Sequence, residues 1–153
     1  MTEQTMEYAR EVGVIPEVIS SMEEAGWENG IEGFMATSDL QRVAEYIDQY
    51  LPEIYYVNSE PGCVDIMASG VSKWRGIKIL AESLNIAHED ILTVGNYYND
   101  IDMLQHAGVG IAVANSLPEV KDVADFVTEY DNNHDAVAEI ISKMLHHEYD
   151  MTK

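Results

Sequence analysis

Three short stretches in the second half of the chain carry residue types whose spacing could do chemistry. The first is Gly70-Val71-Ser72-Lys73, at the expected start of a helix. An ammonium there is unfavourable to the helix dipole, which prefers anions at that end. Lys73 also stands out because the whole chain has only eight Lys and Arg. By itself, Lys73 reads as an ammonium aimed at a bound phosphate or as a solvated surface lysine. The second stretch is Val94-Gly95-Asn96-Tyr97-Tyr98-Asn99-Asp100, which follows the apolar run Ile91–Val94. A glycine turn after a buried strand, then Asn96, Asn99 and Asp100, offers oxygen ligands suited to a hard cation such as Mg²⁺. The same residues equally suit a plain turn in which Asn99 or Asp100 caps the next helix. The third stretch is Val113-Ala114-Asn115-Ser116-Leu117-Pro118. Here Asn115 or Ser116 is a candidate cap, either structural or on a helix whose amides face the same crevice.

Other candidates fail on their own chemistry. Asp131-Asn132-Asn133-His134-Asp135 starts like a calcium loop, but Ala136 stands at the required Gly position and Ser142 at the closing Glu position. His146-His147 reads as a surface pair at a frayed end. Cys63 has no basic or His neighbour in sequence that would favour a thiolate.

Positioning these stretches requires a particular order of elements. The segment to about Val14 leans helical, and Pro16 suits the first turn of a helix over Glu17–Ala25, with Gly26 as its stop. Ile31–Thr37 reads as a strand. Ser38, with Gln41 three residues on, predicts a capping box for a helix with Leu40, Val43, Ala44 and Ile47 as its stripe, ended by Leu51-Pro52. Glu53–Asn58 and Cys63–Ala68, split by Ser59-Glu60-Pro61-Gly62, predict a hairpin. Helices on one face of an antiparallel sheet are the expected result.

After Gly70 the rhythm changes. Ser72 opens a helix with Ile77, Leu80, Ala81 and Leu84 on one face. Then come strand Ile91–Gly95, helix Asp100–Ala107, strand Val109–Val113, helix Leu117–Ala124, strand Phe126–Thr128 and helix Asp135–Leu145. Strict alternation with apolar strands predicts a parallel sheet covered on both faces. The change of rhythm places a boundary near Ala68–Val71.

Composition bounds the rest. A chain of 153 residues holds one domain or two small ones. The formal net charge of −20 repels phosphate backbones and anionic lipids, so neither nucleic acid nor a membrane is an expected partner. The lone Cys63 excludes an intramolecular disulfide and fits a reducing compartment. With no signal segment and no apolar run approaching about 18 residues, a cytoplasmic location is expected.

Taken together, the GVSK start, the strand-GNYYNDIDML stretch and the strand-VANSLPEVKDVADFVT stretch resemble the haloacid dehalogenase (HAD) superfamily, and within it the Cof-type phosphatases. Gly70-Val71-Ser72-Lys73-Trp74 is similar to the family's third motif. Gly95, Asn99, Asp100, Met103 and Leu104 match its GDxxND…ML motif. Asn115, Val120, Lys121, Ala124, Asp125, Val127 and Thr128 match its tail. The resemblance implies residues 69–153 as the C-terminal part of a Rossmann-like HAD core and residues 1–68 as a partial α+β cap. It implies a Mg²⁺-dependent phosphohydrolase acting on small phosphorylated metabolites. In that family an Asp of a DxDx[TV] motif attacks phosphorus and the second Asp acts as acid and base. Carried over, Lys73 steadies phosphate and nucleophile, Asn96 and Asp100 sit in the metal loop with Asn99 in support, and Asn115 assists at the phosphate.

The sequence departs from that pattern twice. No DxDx[TV] occurs in the chain; the lone D-x-D, Asp100-Ile101-Asp102, lies inside the fourth motif. Asn96 stands where the family has a metal-ligating Asp, so one negative charge is missing. The chain is expected to begin midway through the family's cap and to be inactive alone, since covalent catalysis without its nucleophile has lost its mechanism. The alternatives are one half of a split phosphatase and a non-catalytic module binding a phosphorylated ligand or a protein. The resemblance also implies that Ile91–Gly95 lacks its neighbouring strand, so a homo-oligomer or a complementing chain is expected along that edge.

Overall fold

The computed structural model describes residues 33–149 throughout and, before them, residues 6–7, 9–10, 13–15, 17–21, 24 and 30. Its first regular layer is an antiparallel sheet. Strand β1 (Phe34–Ala36) leads into helix α1 (Leu40–Tyr50), then β2 (Ile54–Glu60) and β3 (Cys63–Ala68). The sheet order is β1-β3-β2, with Phe34 opposite Ile66 and Tyr56 opposite Ile66 on its other side. Pro61-Gly62 forms the hairpin turn, and the ladder slips by one residue between Asn58 and Glu60, so the turn is shorter than Ser59–Gly62. Ile47 is the buried residue of α1, with Leu40, Val43 and Ala44 half-buried beside it. The Tyr56 hydroxyl donates to Asp48, tying α1 to β2.

Two expectations fail in this half. Residues 17–19 have no regular structure and Ser20-Ser21 bend, so no helix runs through 17–21; residues 16, 22, 23, 25 and 26 lie outside the described residues. Ser20 donates its backbone amide to Glu24 at 2.7 Å, and Glu24 N–H donates to Ser21 Oγ, bonds of a turn that begins at Ser20 rather than at Glu17. At α1, Asp39 rather than Ser38 is the N-cap, in a left-handed conformation with no side-chain cap bond. Gln41 donates forward to Glu45 at 2.9 Å instead of reaching back.

The second layer is a parallel sheet. Helix α2 (Lys73–Leu84) precedes β4 (Leu92–Gly95), α3 (Ile101–His106), β5 (Val109–Ala112), α4 (Pro118–Val123), β6 (Phe126–Val127) and α5 (Ala136–Leu145). The order is β4-β5-β6, with Leu92 opposite Val109 and Ile111 opposite Phe126. Thr128 N–H donates to Ala112 O at 2.9 Å, which carries the last pairing one residue past β6. Every residue of β5 is buried, as a central strand covered on both faces must be. Leu104, Ala112 and Val120 pack on one face; Val109, Ile111 and Ile140 pack on the other. This is the α/β arrangement expected from the alternating rhythm.

Helix α2 differs from its pattern in one respect. Of its expected stripe only Ala81 is buried, while Leu80 and Leu84 are 60% and 58% exposed. Periodicity shows that a face is apolar; it does not supply what covers it.

Candidate functional site

Lys73 reaches its place through the turn before α2. Gly70 has φ of +79°, a conformation side chains disfavour, and lets the chain turn sharply out of β3. Ser72 then caps α2, accepting from Arg75 N–H at 3.1 Å. From the first turn, Lys73 Nζ extends to Asp100 Oδ1 at 2.6 Å. The lysine side chain is 49% exposed and the Asp100 side chain 5%.

Asp100 is the hub of the Gly95–Asp100 loop. Its Oδ2 accepts the backbone N–H groups of Asn96 at 2.8 Å and Tyr97 at 3.2 Å. Both oxygens of this buried carboxylate are therefore engaged, one by an ammonium and one by two amides. Asp100 closes a 3₁₀ turn (Tyr98–Asp100) and stands at the N-cap of α3, as one reading of the loop expected, though its side chain makes no cap bond to that helix. The loop is fixed from the other side by the Val113–Leu117 segment. Gly95 O accepts from Val113 N–H and Ser116 Oγ, and Asn96 O accepts from Leu117 N–H. Ser116 is thus a buried strut. Leu117 is the N-cap of α4, and neither Asn115 nor Ser116 caps it.

A cleft of about 430 Å³ lies between the β2–β3 hairpin and the α2–α3 side, lined by Tyr55, Asp65, Lys73, Tyr98, Asn99 and Asp102 among others. The structure therefore brings Lys73, Asn99 and Asp100 together, with the exposed Asn96 beside them. It does not bring Asn115 there. The Asn115 amide pairs with Asn132, donating at 2.7 Å and accepting from its N–H at 3.3 Å, and lines a different cleft with Asp131 and His134.

Asp102 is the feature that the sequence reading passed over. Its Oδ2 accepts from Ser72 Oγ at 2.5 Å, and its Oδ1 lies 3.2 Å from His106 Nδ1. It locks the N-terminus of α2 onto α3, reinforced by Trp74 stacking on His106. The D-x-D spacing around Ile101 was the available signal. Cys63 is buried, and burial above all, with Glu60 beside it, pushes its thiol up to about 11; it is no nucleophile at neutral pH.

A magnesium ion does not fit these donors as arranged. Asn96 brings no charge, and Asp100 has an oxygen bonded to Lys73 and another to two amides. Among the described residues no group of three or more His, Cys, Asp or Glu side chains could hold a metal ion.

Comparison with known proteins gives the family. The haloacid dehalogenase-like hydrolase family profile matches residues 21–141. The chain belongs to that family. The Bacillus subtilis protein YxeH is 35% identical over 108 residues, covering 70% of this chain and 40% of YxeH. The 5-amino-6-(5-phospho-D-ribitylamino)uracil phosphatase of the same organism is 34% identical over 89 residues, covering 58% of this chain and 35% of that enzyme. The solved structure of a subclass IIB sugar phosphatase of the HAD superfamily superposes with a TM-score of 0.69 at 30% identity, covering 88% of this chain and 48% of that one. The chain thus spans about half or less of the length of these relatives.

Proposed function

We propose that this chain is the phosphate-facing portion of a Cof-type phosphohydrolase for small phosphorylated metabolites, with no turnover of its own. The observation that carries this reading is the Lys73–Asp100 pair, whose lysine lines a cleft, in a sequence without a DxDx[TV] nucleophile. An ammonium on a helix start, half exposed, suits a phosphate dianion. The names of the relatives support the substrate class: one is a sugar phosphatase and another dephosphorylates a phosphoribityl compound. HAD phosphotransferases generally use Mg²⁺. Among the described residues no helix is long and apolar enough to cross a membrane; a cytoplasmic location belongs to the same reading.

The test is hydrolysis of p-nitrophenyl phosphate and hexose phosphates with Mg²⁺ by the chain and by Asn96→Asp. Neither is expected to turn over, because restoring an acid in the metal loop does not restore a nucleophile. Robust activity that survives repurification and is lost in Lys73→Ala would falsify the reading.

A second reading is favoured by the position of β4, which among the described residues pairs with β5 alone. A complementing polypeptide that adds a parallel strand there, with an Asp at its C-terminal end, would place a carboxylate near Lys73. Turnover on mixing this chain with the N-terminal half of a family member supports that reading; unchanged inactivity with no complex formed counts against it.

A further inference from the structure

We propose that Lys73 is the resident cation of this site, and that a phosphate group is held there without a divalent metal. The inference rests on the reading of the cleft as a phosphate site. Mg²⁺ demands a near-octahedral shell of oxygens and usually keeps one or two carboxylates in it. Asp100 is the acid of this loop, and it is only 3% exposed. To ligate a metal it would have to release the Lys73 ammonium at 2.6 Å, or else the amides of Asn96 and Tyr97. The first change gives up a close ion pair, and the second leaves two amide donors unpaired beside a nearly buried carboxylate. Asp102, the next acid along the chain, is turned to Ser72 and His106.

At the loop itself Asn96 is neutral, Asp100 carries −1 and Lys73 +1, which sum to zero, while Asp65 and Asp102 put further negative charge on the cleft wall away from that pair. A divalent ion approaching Asp100 meets a like charge in contact with the oxygen it needs. A phosphate meets an attractive one. Lys73 is the lone Lys or Arg among the residues lining this cleft. An ammonium has three donors, and Asp100 takes one of them. The remaining donors, with the Asn99 amide on the cleft wall, form a metal-free cradle for phosphate oxygens.

The amides of Asn96 and Tyr97 report on Asp100 directly, so the test uses their ¹⁵N resonances. Titrating Mn²⁺ into the wild-type chain is expected to broaden them no more than other surface amides of this acidic protein. In Lys73→Met, and more strongly in Lys73→Met/Asn96→Asp, the same two resonances broaden first. Adding Asp100→Asn abolishes that selectivity, and Lys73→Arg keeps the wild-type behaviour. Well-dispersed spectra show that each variant is folded. Inorganic phosphate titrated by calorimetry, in EDTA or with millimolar Mg²⁺, is expected to bind with affinities within about twofold of each other, and about tenfold more weakly to Lys73→Met. Selective broadening in the wild-type chain, or tenfold or greater tightening by Mg²⁺, overturns the inference. Absence of phosphate binding in both buffers overturns the phosphate-site reading itself, and the Mn²⁺ result still decides whether Lys73 excludes a metal.

Discussion

At Gly95 the loop owes its shape to a single missing methyl. A Cβ there would stand 2.4 Å from Asp100 Cβ and 2.9 Å from its Oδ2. Gly95→Ala must therefore push Asp100 off the amides of Asn96 and Tyr97 and away from Lys73. We expect a loss of about 1–3 kcal/mol in urea unfolding, with faster hydrogen exchange at those two amides. A wild-type midpoint and unchanged exchange would show that the carboxylate is not locked by close packing. The motif made both residues visible in the sequence, but not that one exists to admit the other. Asn115 was illegible for a different reason. Its partner, Asn132, lies 17 residues on, in a segment that reads as a spoiled calcium loop, and nothing local announces a pairing at that distance.

At the scale of elements, α5 shows how a single acid fixes a helix. Glu139 accepts from Lys143 Nζ at 2.6 Å, from Glu129 N–H at 3.0 Å and from Tyr130 N–H at 3.1 Å, with a side chain only 7% exposed. Burial works to raise its carboxyl pKa, but those three donors outweigh it and hold the pKa below the ordinary range. A depressed folded value means that the unfolded chain binds the proton first as pH falls. The stabilisation is thus complete above the unfolded carboxylate pKa and is lost as pH drops toward the folded one. Glu139→Gln is expected to be less stable at neutral pH, and to lose less stability than wild type between neutral pH and about pH 3. Parallel stability-versus-pH curves for the two proteins would refute that role. Elements whose logic is local were legible in this way: the strict alternation after Gly70 yielded the parallel sheet, and Leu40, Val43, Ala44 and Ile47 yielded the buried side of α1. Where the deciding feature was a turn fixed by side chains, as at Ser20 and Glu24, or a covering surface, as at Leu80 and Leu84, periodicity could not supply it.

For the molecule as a whole, the open side of the parallel sheet and its net charge oppose each other. Among the described residues, β4 has a single strand neighbour. Apolar side chains stand exposed on the helices of both faces: Ile79, Leu80 and Leu84 on α2, and Val137, Ile141 and Leu145 on α5. An edge strand with apolar flanks favours pairing with a second copy. A net charge of −20 on each copy disfavours it. Burial of apolar surface depends little on moderate salt, whereas repulsion between exposed charges fades beyond a Debye length of about 8–10 Å at physiological ionic strength. The chain is therefore expected to be mostly monomeric at low salt and to associate as salt rises, the reverse of an assembly held by ion pairs. Sedimentation equilibrium at about 10 mM and about 150 mM salt reads the shift. Hydrogen exchange at the higher salt should show added protection at β4 amides that do not pair with β5, and Leu80→Lys with Ile141→Lys should suppress both effects. A monomer at both salts, with β4 amides exchanging freely, would mean that this edge is not where the chain finds a copy of itself.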